Sequence, residues 1–158
     1  MASVIIRGLT EQDWRQLRDA RLAALAEAPY AFASTLAREE AFTDQIWRER
    51  AGSGRTFAAW ADGAITGLAT GFPEETGPGW HLVGMWVAPE RRGRGVADEL
   101  VGAVCELARQ SGAASVTLWV TDVNDRARAF YRRLGFAPTG RRQQLRPGEW
   151  EEELSLPI

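Results

Sequence analysis

The stretch Leu82-Val83-Gly84-Met85-Trp86-Val87-Ala88-Pro89-Glu90-Arg91-Arg92-Gly93-Arg94-Gly95-Val96-Ala97 changes character halfway along. Its first half, rich in Val, Met and Trp, has the composition of a buried strand, and Pro89 stops it. After a short Arg/Gly loop, Val96, Leu100, Val104, Leu107 and Ala108 recur at the spacing of one helical face. The loop therefore joins the C-terminal end of a strand to the N-terminus of a helix. There, unpaired backbone N–H groups and the helix dipole favour an anion. Gly93 and Gly95 let the backbone approach a bulky ligand, and Arg91, Arg92 and Arg94 add positive charge. The stretch reads as a pyrophosphate seat.

At 158 residues the chain fits one domain, 1–158, with enough length to bury a core. A net charge of −2 gives no general pull toward nucleic acid or an anionic membrane, so neither is expected as a partner. All 19 basic residues are arginine. A single cysteine, Cys105, excludes an internal disulfide and any multi-thiolate metal site, and no metal is expected. Set among Val101, Val104 and Leu107, Cys105 reads as a packed thiol rather than a nucleophile. No apolar run reaches membrane-spanning length, and the N-terminus lacks a basic region followed by an apolar one. A cytoplasmic location is expected.

Going outward from the loop, Val4 to Ile6 suggest a first strand, and Thr10 with Asp13 can cap a helix whose apolar stripe is Trp14, Leu17, Ala24 and Leu25. Arg21 interrupts that stripe, and Pro29 ends the helix. A second helix is expected from about Thr35 to Arg50, with a break near Thr43, where Thr43 or Asp44 can cap a new start. Thr56 to Ala61, the turn Asp62-Gly63, Ala64 to Phe72 and Trp80 to Val87 form an antiparallel meander. Ser115 to Thr121, apolar on both faces, is a central strand parallel to Trp80–Val87 through the intervening helix. A helix from Arg126 to Leu134 and a closing hairpin around Arg146-Pro147-Gly148 complete a single α/β domain with a mixed sheet.

The loop has no Gly-Lys-Ser/Thr ending, which argues against a nucleoside-triphosphate P-loop. It also follows a meander rather than opening a repeated βαβ unit, which argues against a dinucleotide fold. A second constellation follows the next strand: Asn124-x-x-Ala127-x-x-Phe130-Tyr131-x-x-Leu134-Gly135-Phe136. Together with Arg92-x-x-Gly95-x-Ala97, it resembles the GNAT superfamily of acyl-CoA-dependent N-acetyltransferases. The resemblance is most specific over residues 82–136, and the expected element order extends it to nearly the whole chain. It implies a mixed, mostly antiparallel seven-stranded sheet with a splayed parallel pair at its centre, flanked by four helices.

By this resemblance, acetyl-CoA is the acyl donor. Its pyrophosphate would rest on backbone N–H groups of Arg92, Gly93, Arg94, Gly95, Val96 and Ala97. The strand segment Met85, Trp86 and Val87 would bind pantetheine through main-chain groups of Met85 and Val87, with the Val87 N–H also facing the thioester oxygen. Asn124 would bond pantetheine, and Ala127 and Phe130 would pack along the cofactor. Tyr131 matches the family's usual general acid for the departing thiolate. Asp98 departs from the small or hydroxylated residue of many relatives and would place a carboxylate near the phosphates.

His81, the one histidine, is the candidate base, because a neutral imidazole nitrogen can accept the proton of an amine. Glu39, Glu40, Glu74 and Glu75 are alternatives that read as solvated charges. The acceptor is expected to be a primary amine of a small molecule or peptide, entering between the first helices, Tyr30–Ser34, Pro73–Gly79 and the closing hairpin. Tyr30, Phe32, Trp47 and Trp80 are candidates to line its pocket, although most read as ordinary core, and the cluster Glu149, Glu151, Glu152 and Glu153 is a candidate to attract a cationic amine. The alternative is a non-catalytic acyl-CoA-binding sensor or regulatory domain; Tyr131 and Asn124 favour the enzyme. A homodimer through Leu154, Leu156 and the hairpin edge is a further expectation.

Overall fold

The computed structural model describes residues 3–158. Strand β1 (Ile5–Gly8) leads through a 3-10 turn (Glu11–Asp13) into helix α1 (Trp14–Glu27). The Asp13 carboxylate accepts the Thr10 N–H at 2.8 Å, satisfying one donor at the helix entrance. A 3-10 turn at Pro29–Ala31 precedes α2 (Leu36–Glu40) and α3 (Asp44–Ala51). The break falls where Thr43 caps α3 by accepting the Ile46 N–H, so the expected second helix is two helices, and the four expected helices are five.

Strands β2 (Thr56–Ala61), β3 (Ala64–Pro73) and β4 (Gly79–Val87) form the meander. Asp62 and Gly63 both take left-handed backbone, as a tight primed turn requires. Helix α4 (Val96–Gln110), β5 (Ser115–Thr121), α5 (Asp125–Arg133), β6 (Ala137–Arg146) and β7 (Glu149–Pro157) follow. The seven strands lie in the order β1-β2-β3-β4-β5-β7-β6. Only β4 and β5 pair in parallel among the described residues, and they do so only at Gly79–Ser115, Trp80–Val116 and His81–Thr117. Beyond His81 the two strands part, giving the expected splayed pair at the sheet's centre.

Strand alternation sends successive residues to opposite faces. Ala58 and Leu68 join Trp14, Leu17 and Trp47 under α1 and α3. Their neighbours Ala59 and Ala69 join Leu100, Val104 and Tyr131 under α4 and α5. Leu100 and Val104 are fully buried, each worth roughly 1.5–3 kcal/mol of apolar burial. Helix α4 sits so close to β3 that a Cβ at Gly71 would lie 2.6 Å from Val104 Cγ1. Cys105 is buried in this layer, and burial pushes its thiol above the ordinary range, as expected of a packed residue. Leu154 is also fully buried, so it is unavailable for the expected two-fold pairing, which leaves Leu156 and the β6 edge for that role. Among the described residues no helix is long and apolar enough to cross a membrane.

Candidate active site

The site begins with a defect in β4. Leu68 faces Trp86 while Thr70 faces Val83, so β4 carries one extra residue at Gly84–Met85. Gly84 adopts φ 63°, a region that favours glycine, and the bulge bends the strand where it leaves β5. Further along, the Ala88 N–H donates to the Thr66 carbonyl at 2.8 Å. In an antiparallel ladder the preceding residue then turns its own groups the other way. The Val87 N–H and C=O therefore point away from β3, toward the gap between β4 and β5.

A cleft of about 580 Å³ opens there, and Met85, Trp86, Val87, Asn124, Ala127, Phe130 and Tyr131 all line it. At its far end lies the Arg/Gly loop. Gly95 precedes α4 with no side-chain cap, and the first helical bond is Glu99 N–H to Gly95 C=O at 3.2 Å. The N–H groups of Val96 and Ala97 thus lack helical partners and are available to an anion. Arg92 is different. Its N–H closes onto the Pro89 carbonyl, its Nε donates to the Val87 carbonyl at 3.0 Å, and its Nη2 pairs with Glu27. It braces the loop against β4 and α1, and its own N–H is committed, unlike those of Val96 and Ala97. Arg94 is exposed, and its side chain stands outside the cleft lining.

Glu27 also accepts the Trp86 Nε1–H at 3.1 Å, so the Trp86 side chain belongs to the α1 side of the sheet, in a cluster with Ala24, Leu25 and Phe32. Asp98 does line the cleft, but Arg133 of α5 meets its two carboxylate oxygens, each at 3.2 Å. The carboxylate expected to stand alone beside the loop therefore has a cationic partner. Asn124 Oδ1 accepts the Ala127 N–H at 3.2 Å and caps α5, which leaves its amide N–H₂ as the group available to a ligand. Tyr131 is buried, edge-on to Phe130 and Phe136. Burial pushes its phenol far above the ordinary value, so it stays protonated.

A second cavity, of about 720 Å³, lies on the other side of the bulge and is reached from Leu82, Val83 and Gly84. Phe32 borders both cavities. Of the other aromatic candidates, Tyr30 lines the first cavity, while Trp47 and Trp80 are core. His81 lines the second cavity, its ring tilted against Phe72 with centroids 5.2 Å apart. Its Nδ1 lies 3.2 Å from Thr117 Oγ1, which in turn donates to Glu74 Oε1 at 3.1 Å. Glu74 is therefore tethered rather than free, whereas Glu40 and Glu75 are exposed, as expected.

Residues 17–136 match the Acetyltransferase (GNAT) family. The chain belongs to that family. It is 36% identical over 99 residues to streptothricin acetyltransferase of Streptomyces lavendulae, over 62% of this chain and 52% of that protein. The chain spans about half the length of that curated relative. The crystal structure of nourseothricin acetyltransferase is similar at 34% identity and a TM-score of 0.61, covering 65% of this chain and 64% of that one. Arabidopsis thaliana Naa50, in complex with the bisubstrate analogue CoA-Ac-MVNAL, shares the fold at 18% identity and a TM-score of 0.73 over 99% of each chain.

In this GNAT chain two expectations fail for the same reason. Glu39 is completely buried, not solvated: Arg21 Nε and Nη2 reach its oxygens at 2.9 and 3.0 Å, and Arg50 Nη1 at 3.2 Å. Burial works to raise its pKa, but the hydrogen bonds and charges of these arginines win and hold it below the ordinary carboxylate range. Three of the four carboxylates in the acidic cluster of β7 are likewise not free, because Arg146 pairs with Glu149, Arg128 with Glu152 and Arg141 with Glu153. Only Glu151 of that cluster lines the second cavity, and it is held by the Gln143 amide. Gly84, Thr117 and the Arg21–Glu39 pair escaped the reading of the sequence. Two signals were present: a glycine inside a strand, and an arginine inside the apolar stripe of α1.

Proposed function

We propose that this protein transfers the acetyl group of acetyl-CoA to a primary amine of a small molecule or peptide, both substrates being bound together. One observation carries the reading: two cavities, one ending in unpaired helix N–H groups and the other holding the histidine, meet at the Gly84–Met85 bulge where β4 leaves β5. The residues present fit a pyrophosphate-bearing thioester, since the first cleft runs from an anion seat to a buried phenol. Acetyl-CoA, when bound, supplies the activated acetyl carbonyl.

The chain's own groups supply the rest. Gly93 to Ala97 hold the pyrophosphate, and main-chain groups of Met85 and Val87 with the Asn124 amide hold pantetheine. The Val87 N–H stabilises negative charge on the carbonyl oxygen as the amine attacks. Tyr131, whose phenol lines the cleft, gives a proton to the departing sulfur. When Thr117 donates to Glu74, its oxygen is left to accept Nδ1–H of His81. That tautomer leaves Nε2 as the lone pair on the acceptor side, suited to take the amine proton directly or through water.

The test is release of CoA thiol from acetyl-CoA across a panel of amines, peptide N-termini and streptothricin, with Tyr131→Phe alongside. Turnover with one amine class, lowered about 100-fold in the variant with acetyl-CoA binding retained, is the expected result. Cofactor binding without turnover on any amine, and unchanged in Tyr131→Phe, would mark an acyl-CoA sensor instead.

A further inference from the structure

Charge in the acceptor cavity is not balanced. Four arginines line it, Arg21, Arg38, Arg50 and Arg55, against two carboxylates, Glu39 and Glu151. Glu39 is spent on Arg21 and Arg50 together. Arg38 meets the Ser34 hydroxyl at 3.0 Å and the Phe42 ring but no carboxylate, and Arg55 has no side-chain partner, among the described residues. The Arg21 fork is pre-aimed. Its Nε and Nη2 are fixed by Glu39, while Nη1 makes no hydrogen bond among the described residues. That nitrogen lies 3.4 Å from where a Cβ at Gly84 would stand, so it sits beside the bulge where the two cavities meet.

A guanidinium held at 16% side-chain exposure, with one edge committed and one edge open, suits an anionic oxygen. Across the same cavity Glu151, 8% exposed, meets an amide but no cation among the described residues. A buried carboxylate gains from a cationic partner. The cavity thus offers an anion site and a cation site within one enclosure.

We infer that the acceptor is a zwitterion: a primary amine that also carries a carboxylate or phosphate, its anionic group received by Arg21 and Arg50 and its ammonium drawn by Glu151. This rests on the acetyltransferase reading above and narrows its substrate class. A purely cationic or uncharged amine leaves the excess arginines without a counter-ion. Arg38 and Arg55, with their larger exposure, draw the anion toward the cavity.

The experiment compares matched acceptors with the full chain and acetyl-CoA. The pairs are the common amino acids against their methyl esters, and O-phosphoethanolamine against ethanolamine. Expected is a kcat/KM at least tenfold higher for the anionic member of every pair that turns over, the size of one charge-assisted hydrogen bond. Whether the carboxylate or the phosphate pairs show it identifies the anion. Arg50→Gln and, because Arg55 has no partner to lose, Arg55→Gln raise KM for the anionic members and narrow the ratio. Esters or ethanolamine turning over as well as their anionic partners would overturn the inference while leaving the transferase intact. If no pair turns over, calorimetric titration of the same pairs into the protein with CoA reads the preference directly. Equal or absent binding of both members overturns the inference there too.

Discussion

Glu39→Gln isolates the ion pair between Arg21 and Glu39 that lines the second cavity. The substitution keeps the shape of the side chain and removes its charge, leaving Arg21 buried without a counter-ion. Breaking one side of a buried pair costs about 3 kcal/mol at the lower end of its usual range, and Arg50, at 40% side-chain exposure, is left out of that figure because solvent screens it. For a 158-residue domain this lowers Tm by roughly 6–12 °C near neutral pH. The pH dependence has a definite sign. The folded carboxyl sits below its unfolded value, so its contribution is complete above the ordinary carboxylate range and is lost as pH falls through the lower folded value. Scanning calorimetry or urea unfolding of both proteins, from about pH 7 down to about pH 2, should therefore show a gap that narrows toward acid. Equal stability near neutral pH, or a gap that persists unchanged into acid, would refute the claim that an ionised Glu39 holds Arg21.

His81→Gln should lower kcat/KM by about 100-fold with the KM for acetyl-CoA unchanged. Thr117→Val should lower it less, and Thr117→Ser should restore it; if Thr117→Ser is as impaired as Thr117→Val, the hydroxyl does not orient the imidazole. Gly71→Ala places a methyl 2.6 Å from Val104 Cγ1 and should destabilise by about 1–3 kcal/mol in urea unfolding, with Val104→Ala in the same chain recovering part of the loss. Full stability of the single variant would mean that α4 shifts freely over β3. Cys105, buried and with its thiol raised by desolvation, should resist iodoacetamide in the native protein and react on unfolding. Fast native alkylation would contradict its place in the core.

The sequence alone determined those features whose causes lie within a few residues. The Asp62-Gly63 hairpin, the Thr43 cap, and the strand–loop–helix connection from Val87 to Val96 all depend on local backbone geometry and on the unpaired N–H groups of a helix start. Periodicity then placed the helices and strands, because burying one face requires it. Tertiary structure decided which charges are free. Arg21 and Glu39 are 18 residues apart, Glu74 and Thr117 are 43, and Glu27 and Arg92 are 65. A run such as Glu149 to Glu153 looks solvated or cation-seeking in the sequence, yet Arg128 and Arg141 arrive from other segments to pair with Glu152 and Glu153. A side chain's charge is local, but its partner is fixed by how strands and helices pack. The cavity's excess of arginine therefore emerges only once the fold has paired the rest.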